Sequence, residues 1–456
     1  MWFHALRVVR PRQAAARATR PLRRRRFPAG PKGRLRPLAE NEVLWRSSAF
    51  APTGSAPDAG SRLAEFERHY GADVLEAARS GGDPSQLAAS WSVANPPRGG
   101  DAWHPYTAST RAANWIAAAT LDPSLAPVVG EGVRRALARV AANVEDDILG
   151  NHVIRNAVAL ILGGAAFEDR ALRRRDEAVL ARELPEQVLP DGGHYERSPA
   201  YHRLVLRDLL SVRPYVDLEG AITRMTRFAA ASSRPDGAPW LFNDGGLDVA
   251  PRLELTPPGD GVRVCPDTGY VFITRGELAL AFDCGPVSPS FLPAHAHADV
   301  LSFQLWLRGE PVVVDPGMPT YDAGAERDFF RSTQAHSTVA VGGSQFEPWG
   351  AFRAGPLPRP ELIDAGETSV AGRVMTEHGE HVRTIRLEPE VVIVEDETRG
   401  GDAVSTLVLA GATEVDAARE PTRESRVLSE RLGERRPVWA LVQRGSSAPT
   451  WRIRTH

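Results

Sequence analysis

His295 and His297 stand two apart in His295-Ala296-His297-Ala298-Asp299, which runs into the apolar, alternating stretch 300–307. Side chains alternate along an extended segment, so residues i and i+2 point the same way and both imidazoles can serve one site. Asp315 and His336 follow, each beside a further strand-like run. Imidazole exchanges protons near neutral pH and also ligates transition metals. The constellation therefore predicts metal binding, proton transfer, or both, on a β scaffold.

The elements that must carry these residues change character along the chain. Apolar residues at three-and-four spacing predict helices over 63–78, 108–121, 128–144, 152–163, 171–184, 200–212 and 222–233. After Pro257-Pro258-Gly259, alternation predicts strands over 269–282, 298–307, 310–314, 337–341, 381–387, 391–395, 405–409 and 438–443. Helices followed by strands mean two packed domains rather than an α/β alternation. The expected division is a basic arm over 1–40, a helical domain over 41–257 and an antiparallel β domain over 258–456.

Composition bounds the function. At 456 residues and 42% hydrophobic content, the chain can build more than one core. A net charge of -2 gives no electrostatic case for a nucleic-acid partner. Cys265 and Cys284 are the only cysteines, too few for a disulfide framework or a cysteine-built zinc site, and they read as two buried thiols. No stretch has the roughly 20 apolar residues that a membrane span needs. The first 36 residues are rich in arginine, with Arg23-Arg24-Arg25-Arg26 and no acid before Glu40. No apolar h-region follows them, so they do not form an export signal, and a cytoplasmic protein is expected. Such an arm either touches an anionic surface or lies solvated and loosely packed.

Three polar constellations lie in the helical half. In 103–115, Arg111 and Trp115 are four apart and share a helix face, with Trp103 upstream. Guanidinium and indole together suit an acidic sugar, and equally suit a Trp-rich helix packed in a core. Asn151-His152 sits at a helix start, where it binds a substrate or caps the helix. In 190–202, Asp191-Gly192-Gly193 is a turn and Ser198-Pro199 a helix start, but neither accounts for Tyr195, Glu196, Arg197, Tyr201 and His202 crowded beside them.

Taken in order, Asn151-His152, Asp191-Gly192-Gly193, Glu196-Arg197-Ser198-Pro199-Ala200-Tyr201-His202, the His-x-His-x-Asp segment and the run 330–339 resemble the heparinase II/III-like polysaccharide lyases, relatives of alginate and heparan lyases. The resemblance spans roughly residues 85 to 355. It implies an incomplete (α/α) toroid followed by an antiparallel β-sandwich, in agreement with the periodicity. It also implies β-elimination on a uronic-acid-containing polysaccharide or oligosaccharide. On that basis Asn151, with His152 or Arg111 assisting, neutralises the uronate carboxylate, where each donor to the developing charge is worth about 3 kcal/mol. Tyr201 protonates the leaving oxygen, or also serves as base, and His295 is the other proton-transfer group. His297, Asp315 and His336 match the family's metal ligands and would hold zinc or another divalent ion in a bracing role. Trp103, Arg111, Trp115, Glu196, Arg197, His202, Tyr321 and Arg331 are the expected substrate contacts, with Glu196 orienting Tyr201 or Arg197.

Some features depart from that pattern. Ser337 stands where the family often has Asn, and many such lyases are periplasmic or secreted, whereas no export signal is visible here. A non-catalytic acidic-glycan-binding protein and a metal-dependent glycan hydrolase built on His297, Asp315 and His336 are the alternatives.

Overall fold

The computed structural model describes residues 8–23, 28–38, 61–250, 252–256, 258–411, 413–445 and 449–455. The helical half comprises α1 (Pro11–Arg23), α2 (Arg62–Glu67), α3 (Ala72–Ser80), α4 (Pro84–Ala94), α5 (Pro105–Leu121), α6 (Ala126–Ala142), α7 (Asn151–Ala166), α8 (Arg170–Gln187), α9 (Pro199–Val212) and α10 (Glu219–Ala231). A last short helix, α11 (Ala325–Phe330), lies within the β half. Helices α5 and α7 are buried on nearly every side and pack against each other, so small residues such as Ala112, Ala113, Ala157 and Ala159 recur along both. The toroid's core gathers Trp115, Ile116, Leu137, Ile161, Leu180 and Leu209.

The predicted helix 63–78 is two helices. Gly71 between them has φ +67, and a Cβ there would run into the Trp115 indole, so only glycine fits this break. Helix α1 is docked rather than loose. Its arginines are paired with the protein's own acids, Arg12 with Glu183 at 2.8 Å and Arg20 with Asp147 at 2.7 Å, while Arg23 donates to the Val144 carbonyl. The arm's Arg24, Arg25 and Arg26 and the expected boundary at 40 lie outside the described residues.

The β half comprises β1 (Gly261–Cys265), β2 (Tyr270–Arg275), β3 (Leu278–Asp283), β4 (Phe303–Leu307), β5 (Glu310–Val313), β6 (Val339–Val341), β7 (Pro348–Trp349), β8 (Arg353–Ala354), β9 (Arg359–Ala365), β10 (Ser369–Met375), β11 (Gly379–Leu387), β12 (Val391–Gly400), β13 (Ala403–Leu409), β14 (Val415–Ala417), β15 (Thr422–Leu428), β16 (Arg436–Gly445) and β17 (Thr450–Arg454). Among the described residues these form a nine-stranded sheet in the order β1-β2-β3-β4-β5-β13-β16-β15, with β6 also on β13, a six-stranded sheet in the order β14-β17-β12-β11-β10-β9, and a two-stranded ribbon of β7 and β8. The pairings within both sheets are antiparallel, for instance Leu280 opposite Leu305 and Ile385 opposite Val394. Phe282, Phe303, Leu305, Ile385, Val394 and Trp451 fill the space between the sheets, so the half is an antiparallel β-sandwich.

A separate apolar cluster joins the two halves. Phe228 of α10 meets Trp240, Phe242, Tyr270, Phe272 and Trp306, on the face of the large sheet turned away from the sandwich core. Cys265 belongs to this cluster and Cys284 to the sandwich core, and both remain free, buried thiols. The joint brings the start of α9 against the loops ahead of β4, where the chemistry-bearing residues meet.

Candidate active site at the domain junction

Tyr201 lies in the first turn of α9, which Ser198 caps by accepting from the Tyr201 amide at 3.1 Å, with Pro199 at the first helical position. Its ring stacks on His295 from the β half, with centroids 4.0 Å apart, and its hydroxyl donates to Tyr321 Oη at 3.1 Å. Burial, with Tyr321 and Asp244 adding to it, raises the Tyr201 phenol well above its ordinary range, so it carries its proton at neutral pH.

His295 and His297 do converge, though not on a strand. The loop 293–302 is irregular; Ala298 donates to the Arg331 carbonyl and Val300 to Gln345, and Leu301 turns at φ +62 before β4 begins at Phe303. The convergence point is Asp244, a residue the sequence pattern did not single out. His295 donates from Nδ1 to Asp244 Oδ2 at 3.0 Å and His297 from Nε2 to Oδ1 at 2.9 Å, because an ionised carboxylate only accepts. Arg327 grips both oxygens of the same carboxylate, at 2.6 Å to Oδ2. Burial opposes ionisation of Asp244, but Arg327 and the two imidazoles hold it well below the usual carboxylate range. The two histidines thus use opposite nitrogens on one acid, which turns Nε2 of His295 away from it and leaves Nδ1 of His297 as an acceptor.

That acceptor on His297 is buried and lacks a hydrogen-bond partner, as is Asp299 Oδ1. Ligand atoms of His297, Asp299 and His336 lie within 4.8 Å of one another. His336 reaches Asp315 through Nδ1 at 2.8 Å and the Phe330 carbonyl through Nε2 at 2.9 Å. Burial pushes His297 down to about 4, so it is a neutral imidazole, and its other nitrogen is held by a carboxylate, as metal-bound histidines generally are. The orphaned His297 nitrogen and Asp299 oxygen fit two ligands of a divalent cation, whereas His336 spends both nitrogens as donors and would join them only by giving up the Phe330 carbonyl. The converging set differs from the expected one in placing Asp299 beside the two histidines, with Asp315 attached behind His336.

Across the junction, Gly150 at φ +62 precedes α7, and a Cβ there would strike Glu196. That close approach lets Glu196 Oε1 accept from the Asn151 amide at 3.3 Å; Glu196 is bonded neither to Tyr201 nor to Arg197, so its expected orienting role is replaced by this one. The Asn151 side-chain oxygen is buried without a partner. His152 donates to Glu145 at 3.0 Å, and Glu145 is also reached by Asn156 at 3.0 Å and His104 at 3.7 Å. Burial pushes Glu145 up, but His152 and His104 win and hold it down to about 2. Burial works against charge on His152, and Glu145 more than offsets it, so that imidazole is raised above its ordinary value. Tyr106 packs on it with centroids 4.5 Å apart. Burial raises Glu196 too, opposed by His295 and then His152, which places all three in one electrostatic neighbourhood.

Six expected substrate contacts are instead structural. Arg111 is fully buried; it donates to the His69 and Ala102 carbonyls and sits over the rings of Trp91, Trp103 and Trp115 at 3.9, 5.0 and 6.0 Å. Trp103 and Trp115 are therefore core residues enclosing a cation. His202 accepts from the His194 amide and donates to the Met225 carbonyl, and burial pushes it down to about 4. Arg331 is buried against the carbonyls of Pro293, Ala296, Gly350, Ala351 and Arg353. Arg197, at φ +55, clamps the domains by donating to the Tyr195 and Asp267 carbonyls. Asn151, His152, Glu196, Tyr201, His295 and Tyr321 remain gathered at the junction. Asp244, Glu145, Tyr106 and Arg327 are the additions.

Residues 257–454 match the heparinase II/III-like C-terminal family, and residues 139–229 match the heparinase II/III N-terminus. Over 290 residues the chain is 29% identical to FtsZ-localized protein C of Caulobacter vibrioides, covering 56% of this chain and 49% of that protein. Over 236 residues it is 25% identical to heparin-sulfate lyase of Bacteroides stercoris, covering 42% of this chain and 35% of that one. The matches thus span about half of one curated relative and a third of the other. The crystal structure of heparinase III superposes with a TM-score of 0.69 over 99% of this chain and 93% of that one at 12% identity, a likeness of fold. With both halves matched in order, the chain belongs to the heparinase II/III-like family.

Proposed function

We propose that the protein is a polysaccharide lyase that cleaves a uronic-acid-containing glycan by β-elimination. The observation that carries this reading is the stack of Tyr201 on His295 at 4.0 Å, with His295 anchored by Asp244 and, on the facing helix, the Asn151 side chain, whose oxygen is buried without a partner. The uronate carboxylate accepts hydrogen bonds from Asn151 and from His152, whose charged form Glu145 favours, which lowers the cost of forming an enolate at C5. His295 Nε2 takes the C5 proton, and the C5–H electron pair becomes the C4=C5 bond. The C4–O4 bond breaks, and O4 leaves with the proton of Tyr201 Oη. The proton held on His295 then returns to the phenolate, directly or through Tyr321. A phenol kept protonated by burial suits the donor role, and an imidazole with one nitrogen fixed on a carboxylate suits the base.

Zinc or another divalent cation would be held by His297 Nδ1 and Asp299 Oδ1, with His336, backed by Asp315, joining by giving up the Phe330 carbonyl. When bound, it supplies a rigid brace for the loop that presents His295 and takes no part in proton transfer. The test is incubation of purified protein with heparan sulfate, chondroitin sulfate and alginate, following the ultraviolet absorbance of the unsaturated uronate. Wild type is expected to act on at least one polymer, with rates lower by orders of magnitude for Tyr201→Phe and for His295→Ala. Retained turnover in both variants contradicts the roles.

A second reading takes up the identity to FtsZ-localized protein C. On that reading the protein localises with FtsZ and holds an acidic glycan at the same junction without cleaving it. A fluorescent fusion that localises with FtsZ, together with glycan binding and no product, would support it over the first.

A further inference from the structure

We propose that Phe352 is a stacking platform for the sugar ring next to the one held at Tyr201; the proposal rests on the acidic-glycan reading above. Phe352 lies in the tight turn joining β7 and β8 and is 47% exposed. An exposed phenylalanine alone carries no meaning, since single apolar side chains are common on surfaces. The way this one is held is different. Arg327, which grips Asp244, also donates to the Ala351 carbonyl from Nε at 3.1 Å and from Nη2 at 2.9 Å. Arg331 donates to the carbonyls of Gly350, Ala351 and Arg353 at 3.0, 3.2 and 3.1 Å, and to Ala296 between the two histidines at 3.0 Å. Two buried guanidiniums therefore tie the backbone on both sides of Phe352 to the loop and the acid that position His295. A turn that only had to reverse the chain would need neither.

The ring is also continuous with the reaction centre. Its centroid is 6.3 Å from that of Tyr321, whose hydroxyl accepts from Tyr201. The Arg327 guanidinium lies 5.2 Å from the Tyr321 ring and 5.7 Å from the Phe352 ring. Tyr201, Tyr321 and Phe352 thus form a row running from the buried junction to the surface, and exposed Arg353 follows directly in sequence. A pyranose has an apolar face of C–H groups that packs on an aromatic ring, and its acidic substituents favour a nearby guanidinium. A row of this kind takes an acidic oligosaccharide that extends beyond the sugar being cleaved.

Isothermal titration of hexasaccharides from heparan sulfate, chondroitin sulfate and alginate tests this in a Tyr201→Phe background, where bound ligand persists. Adding Phe352→Ala is expected to weaken binding about 5-fold, as loss of one aromatic contact predicts. Phe352→Trp should restore the affinity, and the thermal midpoint should stay unchanged in both. Equal affinity of the Phe352→Ala and parent proteins for a hexasaccharide that both bind overturns the platform and leaves the lyase reading standing. Binding of none of the three by either protein overturns both.

Discussion

Replacing Asp244 by Asn tests the organisation of the site at its most connected point. Asp244 and Arg327 are both fully buried, and the carboxylate accepts from Arg327, His295 and His297 at once. An amide of the same shape keeps one acceptor and turns the other oxygen into a donor, so at least one imidazole N–H loses its partner. It also leaves the Arg327 cation buried without a counter-charge, and breaking a buried ion pair costs about 3–5 kcal/mol. A fold typically stable by about 5–15 kcal/mol survives this, with a clearly lower denaturation midpoint. The effect on rate is separate. His295 loses the group that fixes Nδ1–H, and the comparable Asp-to-Asn change in a Ser-His-Asp triad costs about 10⁴ in turnover. We expect a loss on the order of 10²–10⁴ here, for a base anchored at 3.0 Å. Urea denaturation followed by circular dichroism gives the stability. Initial rates of double-bond formation, at a temperature where both proteins are folded, give the chemistry. His295→Ala should lose the rate without losing the stability. An Asp244→Asn protein within about 1 kcal/mol of wild type and turning over at a similar rate would refute the argument.

Other consequences concern separate parts of the molecule. Arg111→Ala should destabilise by about 3 kcal/mol, since it empties a buried site and strands two carbonyls, while KM of the folded protein stays unchanged; a selective rise in KM would restore Arg111 as a substrate contact. The Glu145–His152 pair sets a pH window. Glu145 is depressed, so its contribution is present above the ordinary carboxylate range and lost as pH falls toward about 2. His152 is raised, so its contribution is full below about 6.5 and lost as pH rises through its elevated folded value. Glu145→Gln should therefore cost most stability between about pH 4.5 and 6.5, and its basic limb of kcat/KM should move to lower pH; a stability difference constant from pH 4 to 9 speaks against the pair. Adding zinc to chelator-treated protein should raise Tm and give near-stoichiometric metal by mass spectrometry, and His297→Ala should abolish both; no metal retention by wild type would remove the ion from the account.

The long helices from α5 to α10 and the central sandwich strands were legible because their apolar periods are strong, while α1 and α4 were not foreseen. The missed strands include the outer β1, β9, β14 and β15, and segments such as Thr-Arg-Glu-Ser-Arg in β15 carry charge where an inner strand would alternate; the inner β10 and β17 were missed as well. Within the site, His295, Tyr201 and Asn151 stood out through local motifs. Asp244 did not, because Asn243-Asp244-Gly245-Gly246 reads as a turn, and its partners lie 51 and 53 residues away. Glu145 hid in the run Glu145-Asp146-Asp147, which resembles a solvated acidic patch. Arg111, Trp103 and Trp115 were over-read: a guanidinium among indoles has the same sequence signature whether the cage faces solvent or is sealed, and here it is sealed. Burial is a tertiary property, and the spacing of these side chains along the sequence does not encode it.

The central claim is the elimination itself, and product mass tests it most directly. Complete digestion of a uronate hexasaccharide that the wild type cleaves, analysed by mass spectrometry, should yield fragments whose masses sum to that of the starting sugar, with a C4=C5 double bond at the new non-reducing end. Fragments heavier by one water for each bond broken, with no new ultraviolet absorbance, would show hydrolysis and contradict the roles assigned to Tyr201 and His295.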